Sequence, residues 1–306
     1  MVWYKTTLPR SQVDGDKGKK VAEKLRGLEG PWRTQAYRET WLQDGKGNSY
    51  STGEQWDNAL GTIGAGNHFA EIQVVEESSL AKEENGLCQN DVVLLVHSGS
   101  RGYGGSVLKK FTTETRTSFE DGTADATDYM KEQDKACKWA KANRDLIALR
   151  FLACLEPGNE SWSLGSSDAD EFDDDSVKMI GSAKMALQRR KVVDIWHNNV
   201  ERVPWPPSAP PLTPKDASLT EVTDKLTLSD NTQQQYAYIH RKGAAPTYDP
   251  ETQVPLGLLP LPGSRGTPTL ILQPTFSDST SWGLKNGLLL AMERGGPCLA
   301  RRLCLR

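Results

Sequence analysis

Two apolar runs set the pattern of the first third of the chain. Ala70-Glu71-Ile72-Gln73-Val74-Val75 and Asp91-Val92-Val93-Leu94-Leu95-Val96 both predict strands, the second apolar enough to be covered on both faces. Each abuts a glycine-rich turn that carries a histidine. Further on, Ala136, Ala140, Asn143, Ile147, Phe151 and Cys154 recur at three- and four-residue steps and predict a helix over residues 127–155 with these side chains on one face. A second helix is predicted over 176–190, with Ser176 as its N-cap and Arg189, Arg190 and Lys191 near its C-terminus. Val192-Val193-Asp194-Ile195 then predicts a short strand.

Other stretches break this pattern. Residues 10–58 are polar, rich in Lys, Gly and Gln, and begin without an obvious strand, so 1–58 is expected to be the trailing part of something longer. Residues 166–176 hold Asp168, Asp170, Glu171, Asp173, Asp174 and Asp175 but lack the Gly and closing Glu of a calcium loop, which predicts a solvated acidic loop. Residues 203–236 carry six prolines between Pro204 and Pro214, then Ser, Thr, Asp and Gln, and predict a flexible insertion.

Composition adds exclusions. The 306 residues are 37% hydrophobic and 25% charged, the balance of an ordinary soluble chain. A net charge of -3 gives no whole-molecule sign of a nucleic-acid partner, though a local basic groove remains open. No apolar run approaches the roughly 18 residues of a membrane span, and residues 1–10 lack a hydrophobic signal core, so a cytoplasmic protein is expected, with a nuclear one as the alternative. Five scattered cysteines (Cys88, Cys137, Cys154, Cys298, Cys304) form no CxxC pair, the pattern of a reducing compartment.

With only four histidines, their surroundings are informative. In Gly61-Thr62-Ile63-Gly64-Ala65-Gly66-Asn67-His68-Phe69-Ala70-Glu71, glycines let backbone N–H groups approach an anion, and Asn67 and His68 present ligand atoms at a strand entrance. Val96-His97-Ser98-Gly99-Ser100-Arg101-Gly102-Tyr103-Gly104 places His97 at a strand end with Arg101 available for phosphate. Asp194-Ile195-Trp196-His197-Asn198-Asn199 sets a His-Asn pair after a strand. Taken singly, such a histidine is more often structural than a ligand; three beside Gly, Ser or Asn at strand ends suit a shared manganese, zinc or iron. Tyr238-Ile239-His240-Arg241-Lys242-Gly243-Ala244 packs a histidine beside two cations, a phosphate contact or a solvated basic turn. Leu261-Pro262-Gly263-Ser264-Arg265-Gly266-Thr267-Pro268-Thr269 is a turn suited to holding a nucleotide, or an ordinary loop.

In their order, GTIGAGNHFAEIQ, VHSGSRGYG, DIWHNNV, YIHRKGA and LPGSRGTPT resemble the RtcB family, the GTP-dependent tRNA-splicing RNA ligases, over about residues 59–291. The segment around Ala142-Asn143-Arg144 is also similar to that family's segment after HSGSRG. The resemblance implies an α+β domain with mixed sheets around a central metal and nucleotide cleft. It implies manganese (two ions) and GTP as cofactors, RNA as partner (tRNA halves among the substrates), and the joining of an RNA 3′-phosphate or 2′,3′-cyclic phosphate to a 5′-hydroxyl. It makes His68, His97 and His197 metal ligands. Asn67, His68, Phe69, Ala70, Glu71, His197, Asn198, Pro262, Gly263, Ser264, Arg265 and Thr269 become guanine-nucleotide contacts, with Asn67 supporting catalysis. Arg101, His240, Arg241 and Lys242 would meet RNA phosphate, and accessory proteins of a ligase complex are further expected partners.

Two departures from the family pattern accompany this. The family's upstream Asp-x-x-Cys-Gly metal motif has no counterpart before Gly61, and Asp134-Lys135-Ala136-Cys137 lies downstream without the Gly. The family's nucleophilic histidine is expected where Met292 follows Ala291, and no histidine occurs after His240. Permitted codons recover the family's HGAGR pattern with one inserted base after Ala291, so a frameshift is expected there and 292–306 is expected to be an out-of-frame tail without function. An impaired ligase is the leading expectation. A non-catalytic RNA- or nucleotide-binding remnant and a metal-dependent phosphohydrolase remain as alternatives.

Overall fold

The computed structural model describes residues 1–15, 30–78, 87–112, 119, 122–165, 171–196, 198–205, 235–242, 258–261, 268–273 and 301–305. Its strands are β1 (Val2–Lys5), β2 (Phe69–Ser78), β3 (Val92–His97), β4 (Lys191–Asp194), β5 (Asn198–Trp205), β6 (Gln235–Lys242), β7 (Leu259–Leu261), β8 (Thr269–Gln273) and β9 (Arg301–Leu305). Its α-helices are α1 (Gln35–Trp41), α2 (Glu54–Asp57), α3 (Arg101–Phe111), α4 (Ala124–Leu155) and α5 (Asp174–Arg190), so the chain is of the α+β class. Contacts divide it into a larger unit (1–194, 261–271, 302–306) and a smaller one (195–260, 272–301).

The larger unit holds β4, β1, β3 and β2 side by side in that order, and the pairings of β1 with β3 and β4, and of β2 with β3 and β9, are all antiparallel. Register sorts its side chains. Trp3 opposes Leu95, which opposes Glu71, so these three share one face, together with Phe69, Gln73, Val93 and His97. Val2, Tyr4, Leu94 and Val96 take the other face and join the main core with Leu146, Ile147, Leu149 and Phe151 of α4. One face thus carries the helices, and its opposite carries the histidine of β3 and the polar positions of β2.

The sequence pattern does not predict strand β1, although it is paired on both sides, between β4 and β3. Val2, Trp3 and Tyr4 have no exposed surface, so nothing in the four residues alternates. Residues 30–58, polar and without a predicted strand, supply core: Trp32, Tyr37, Trp41 and Leu42 are fully or almost fully buried. The indole N–H groups of Trp32, Trp41 and Trp139 each find an acceptor, as burial of a donor favours. Trp32 donates to the Leu164 carbonyl (2.8 Å), Trp41 to the Ala142 carbonyl (2.9 Å) and Trp139 to Asp57 Oδ1 (3.1 Å). The last two bonds tie the early segment to α4, and the first ties it to the turn Glu160–Gly165 that follows.

The helix expected over 127–155 runs Ala124–Leu155, and its predicted stripe from Ala136 to Phe151 is buried, with Cys154 half-buried. The second helix starts two residues earlier than expected, at Asp174, and Ser176 is not its N-cap. Asp173 caps it: Ser176 N donates to Asp173 Oδ1 (2.8 Å), and the Asp173 N–H returns a bond to Ser176 Oγ (3.2 Å). The acidic run is therefore partly a helix start, where negative side chains suit the helix dipole. Ser176 Oγ also meets the Tyr37 hydroxyl (2.9 Å). Ser176→Ala removes both partners and is expected to cost about 1 kcal/mol, lowering the thermal midpoint by roughly 2–4 °C. A melt followed by circular dichroism checks this, and an unchanged midpoint would show the box contributes nothing.

The smaller unit contains β5 and β6, paired with each other as an antiparallel ribbon. The two ends of the proline-rich insertion belong to this ribbon, Val203 opposing Ala237 and Trp205 opposing Gln235, while residues 206–234 lie outside the described ones. The expected tail contributes β9, with Cys304 opposite Glu77 of β2. Among the described residues no helix is long and apolar enough to cross a membrane.

Candidate functional site

The two glycine-rich histidine segments meet at the ends of neighbouring strands. Phe69, the first residue of β2, is directly opposite His97, the last of β3. Their rings stand edge to face, with centroids 5.2 Å apart, and the His68 and His97 imidazoles have centroids 5.7 Å apart at 55°. The His68 ring sits over glycines. A Cβ on Gly99 would lie 3.7 Å from it, and one on Gly64 (φ +105°) would lie 3.0 Å from His68 Nδ1 and 1.5 Å from Arg101 Nη1. Only glycine suits position 64, for backbone conformation and for space.

Arg101 does not project away from this loop. It takes a left-handed conformation (φ +57°) at the start of α3 and folds back, donating from Nε to Thr62 Oγ1 (3.2 Å) and from Nη1 to the Ile63 carbonyl (3.2 Å). Burial, and then the Arg101 charge, hold the His68 imidazole below its ordinary pKa, against a hydrogen bond to the Ile63 backbone. A lowered value favours the neutral imidazole, the form that binds a metal.

Both loops hang on α4. Asn143, wholly buried, accepts from the Gly61 N–H (2.7 Å) and donates through Nδ2 to the Gly99 carbonyl (3.0 Å), Ser98 Oγ (3.1 Å) and the Thr62 carbonyl (3.3 Å). One amide thereby fixes the GTIG and HSG segments to each other. Ser98 Oγ adds a bond to the Ile63 carbonyl (2.7 Å), and Arg150 Nη1 binds the Gly61 carbonyl (2.8 Å). The next residue, Arg144, reaches the Ser98 carbonyl (3.4 Å) and grips Asp194 at the end of β4 with bonds of 2.8, 3.0 and 3.1 Å. Burial works to raise the Asp194 pKa, but Arg144 foremost, then the N-terminal amine of Met1, with Lys191 and Lys141 behind them, holds it below the usual carboxylate range.

A third cluster lies along the same sheet face. Gln73, 1% exposed, accepts at Oε1 from the Trp3 indole N–H (3.1 Å) and donates from Nε2 to Glu71 Oε1 (2.8 Å) and Thr269 Oγ1 (3.1 Å). Glu71 and Thr269, carried by separate motifs, are thus joined by one side chain.

Of the predicted site residues, the larger unit brings together His68, Phe69, His97 and Arg101, and separately Glu71 with Thr269; Asn67 is exposed and Ala70 half-buried nearby in sequence. On the smaller unit's ribbon, Asn198 is opposite Lys242, Arg241 opposite Asn199 and His240 opposite Val200. His197, Pro262, Gly263, Ser264 and Arg265 lie outside the described residues, as does Met292. No three His, Cys, Asp or Glu side chains gather as a metal site among the described residues. Sequence reasoning placed Asn143 on the buried stripe without a role. A polar residue in an apolar stripe was the available signal. Gln73, Arg150 and Asp194 as tethers were not foreseen.

Two imidazoles at this spacing, one biased to its neutral form and cradled by glycines, fit part of the ligand set of a divalent cation. Comparison with known proteins finds similar sequences among RNA-splicing ligases. The RNA-splicing ligase RtcB2 of Escherichia coli is 29% identical over 252 residues, spanning 81% of this chain and 49% of the relative. The tRNA-splicing ligase RtcB of Nanoarchaeum equitans is 39% identical over 103 residues (29% of this chain, 22% of the relative), and that of Aeropyrum pernix 32% over 129 residues (36% and 27%). This chain spans about half the length, or less, of these relatives. A family model described as tRNA-splicing ligase RtcB matches residues 17–283, and with so much of the sequence matched, its histidine loops included, the chain belongs to the RtcB family.

Proposed function

We propose that the chain carries part of the active site of an RNA ligase that joins an RNA 3′-phosphate or 2′,3′-cyclic phosphate to a 5′-hydroxyl, using GTP and manganese, as in tRNA splicing and RNA repair. The single observation that carries this reading is the pairing of His68 with His97 at facing strand ends, in a chain of the RtcB family. His68 and His97, with His197, would hold the metal, which when bound supplies positive charge that offsets charge on phosphate oxygens. Burial and Arg101 keep His68 neutral for that task. Asn67, Phe69, Ala70, Glu71, Asn198, Pro262, Gly263, Ser264, Arg265 and Thr269 would form the guanine-nucleotide pocket of the expected cleft. Arg101, His240, Arg241 and Lys242 would meet RNA phosphate, with tRNA halves as substrates and accessory proteins as further partners.

In this polypeptide the four histidines are His68, His97, His197 and His240, with none near 292 where the resemblance expects the nucleophile. We therefore propose that it retains nucleotide and RNA without forming a covalent link to GMP. Incubating the chain with α-labelled GTP and manganese tests both halves. The expected result is saturable, manganese-dependent GTP binding that H68A and H97A each reduce by at least about tenfold, the loss that even an outer partner of a metal ligand causes, with no label surviving denaturation. No binding at all would overturn the reading. A surviving label would overturn the impairment, and steady phosphate release without RNA joining would favour a hydrolase.

A further inference from the structure

We infer that Gln73 is a positioning residue for guanine selectivity, fixing the direction in which the Glu71 carboxylate accepts hydrogen bonds. The inference rests on the reading above that Glu71 and Thr269 belong to a guanine-nucleotide pocket. The geometry begins with Trp3. An indole N–H can only donate, so the Gln73 atom facing it at 3.1 Å is the carbonyl oxygen. The amide NH2 is thereby directed at the acceptors on its other side, Glu71 Oε1 at 2.8 Å and Thr269 Oγ1 at 3.1 Å. A flipped amide would set two donors against each other at Trp3 and two acceptors at Glu71.

All the anchors are rigid. Trp3 and Gln73 lie within β1 and β2, Thr269 opens β8, and the three are 0%, 1% and 1% exposed. Glu71 is less buried than they are, two residues before Gln73 on the same face. With Oε1 held by the amide, the plane of the carboxylate is set rather than free to rotate about its last bond. That plane matters for a purine. Guanine presents two adjacent donors, N1–H and the exocyclic NH2, which a carboxylate of fixed orientation accepts side by side. Hypoxanthine offers only N1–H, and adenine offers neither at that edge. A loosened carboxylate loses the two-bond recognition before it loses general affinity.

The test is titration of the full 306-residue chain, with manganese present, against GMP and against IMP. In Gln73→Met, which keeps the length of the side chain and removes its hydrogen bonds, the preference for GMP over IMP is expected to fall by about tenfold, with IMP affinity nearly unchanged. Trp3→Phe keeps Gln73 but removes the donor that orients it, and is expected to lower the preference by a smaller factor. This second variant decides the matter if Gln73→Met fails to fold. Equal weakening of both nucleotides, with the ratio intact, would mean a merely structural amide and would overturn the inference. Failure of the unsubstituted chain to bind GMP would instead overturn the nucleotide-pocket reading, and this inference with it.

Discussion

Arg144→Met is expected to destabilise the larger unit by about 3–5 kcal/mol at neutral pH, the usual range for a buried charge stripped of its partner. The side chains of Arg144 and Asp194 are only 3% and 11% exposed, and the guanidinium bonds both carboxylate oxygens. Methionine fills similar volume without replacing the charge, which leaves Asp194 in a poorly hydrated place with the N-terminal amine, Lys191 and Lys141 as its remaining cationic neighbours. The effect carries a sign in pH. In the unsubstituted protein the Asp194 pKa is depressed, so its stabilising contribution is present above the unfolded value of about 3.9 and disappears as pH falls through the folded one. In R144M burial dominates and the folded pKa rises. Acidification then neutralises the unpaired carboxylate, and the stability gap between the two proteins narrows. Urea unfolding at pH 7 and near pH 4 measures this. A gap that does not depend on pH would show that lost packing, not the ion pair, is responsible.

Asn143→Ala is expected to cost about 3 kcal/mol, because a buried N–H and several buried oxygens lose one shared partner. The loss is local as well as global. Gly61 N, the Thr62 and Gly99 carbonyls and Ser98 Oγ come from the two loops that carry His68 and His97, so this one side chain bonds both. Amide exchange at Gly61 is therefore expected to accelerate more than exchange in β3. Asn143→Asp is a sharper variant: a carboxylate keeps the acceptor for Gly61 but faces the Thr62 and Gly99 carbonyls with the wrong polarity. It is expected to be less stable than N143A at pH 7 and to recover toward it in acid. Equal stabilities for the two variants at pH 7 would contradict the donor role of Nδ2.

Much of the scaffold was legible, for identifiable reasons. Strands β2 and β3 announced themselves as apolar runs between glycine turns, and α4 through a stripe five side chains of which are buried. Cap positions were less so: the run Asp173-Asp174-Asp175-Ser176 offers several capping side chains in succession, and tertiary contacts to Tyr37 settle which of them is used. Strand β1 was hidden because a short strand buried on both faces has no period to detect. The His68–His97 pairing followed from motifs that end on adjacent strands. The Trp3–Gln73–Thr269 chain could not be read, because its bonds cross 70 and 196 positions and pair residue types with no local signature.

The placement of β1 between β3 and β4 imposes an order of events on synthesis. Its Val2 opposes Val96 on one side and Asp194 on the other. At about 5–20 residues per second, a ribosome needs roughly ten seconds or more to make the second neighbour after the first strand emerges. Throughout that interval a Val-Trp-Tyr segment presents an unpaired edge and two large aromatic rings to the surrounding solution. Co-expression of a chaperone that binds hydrophobic emerging chains is therefore expected to raise the soluble yield of this unit.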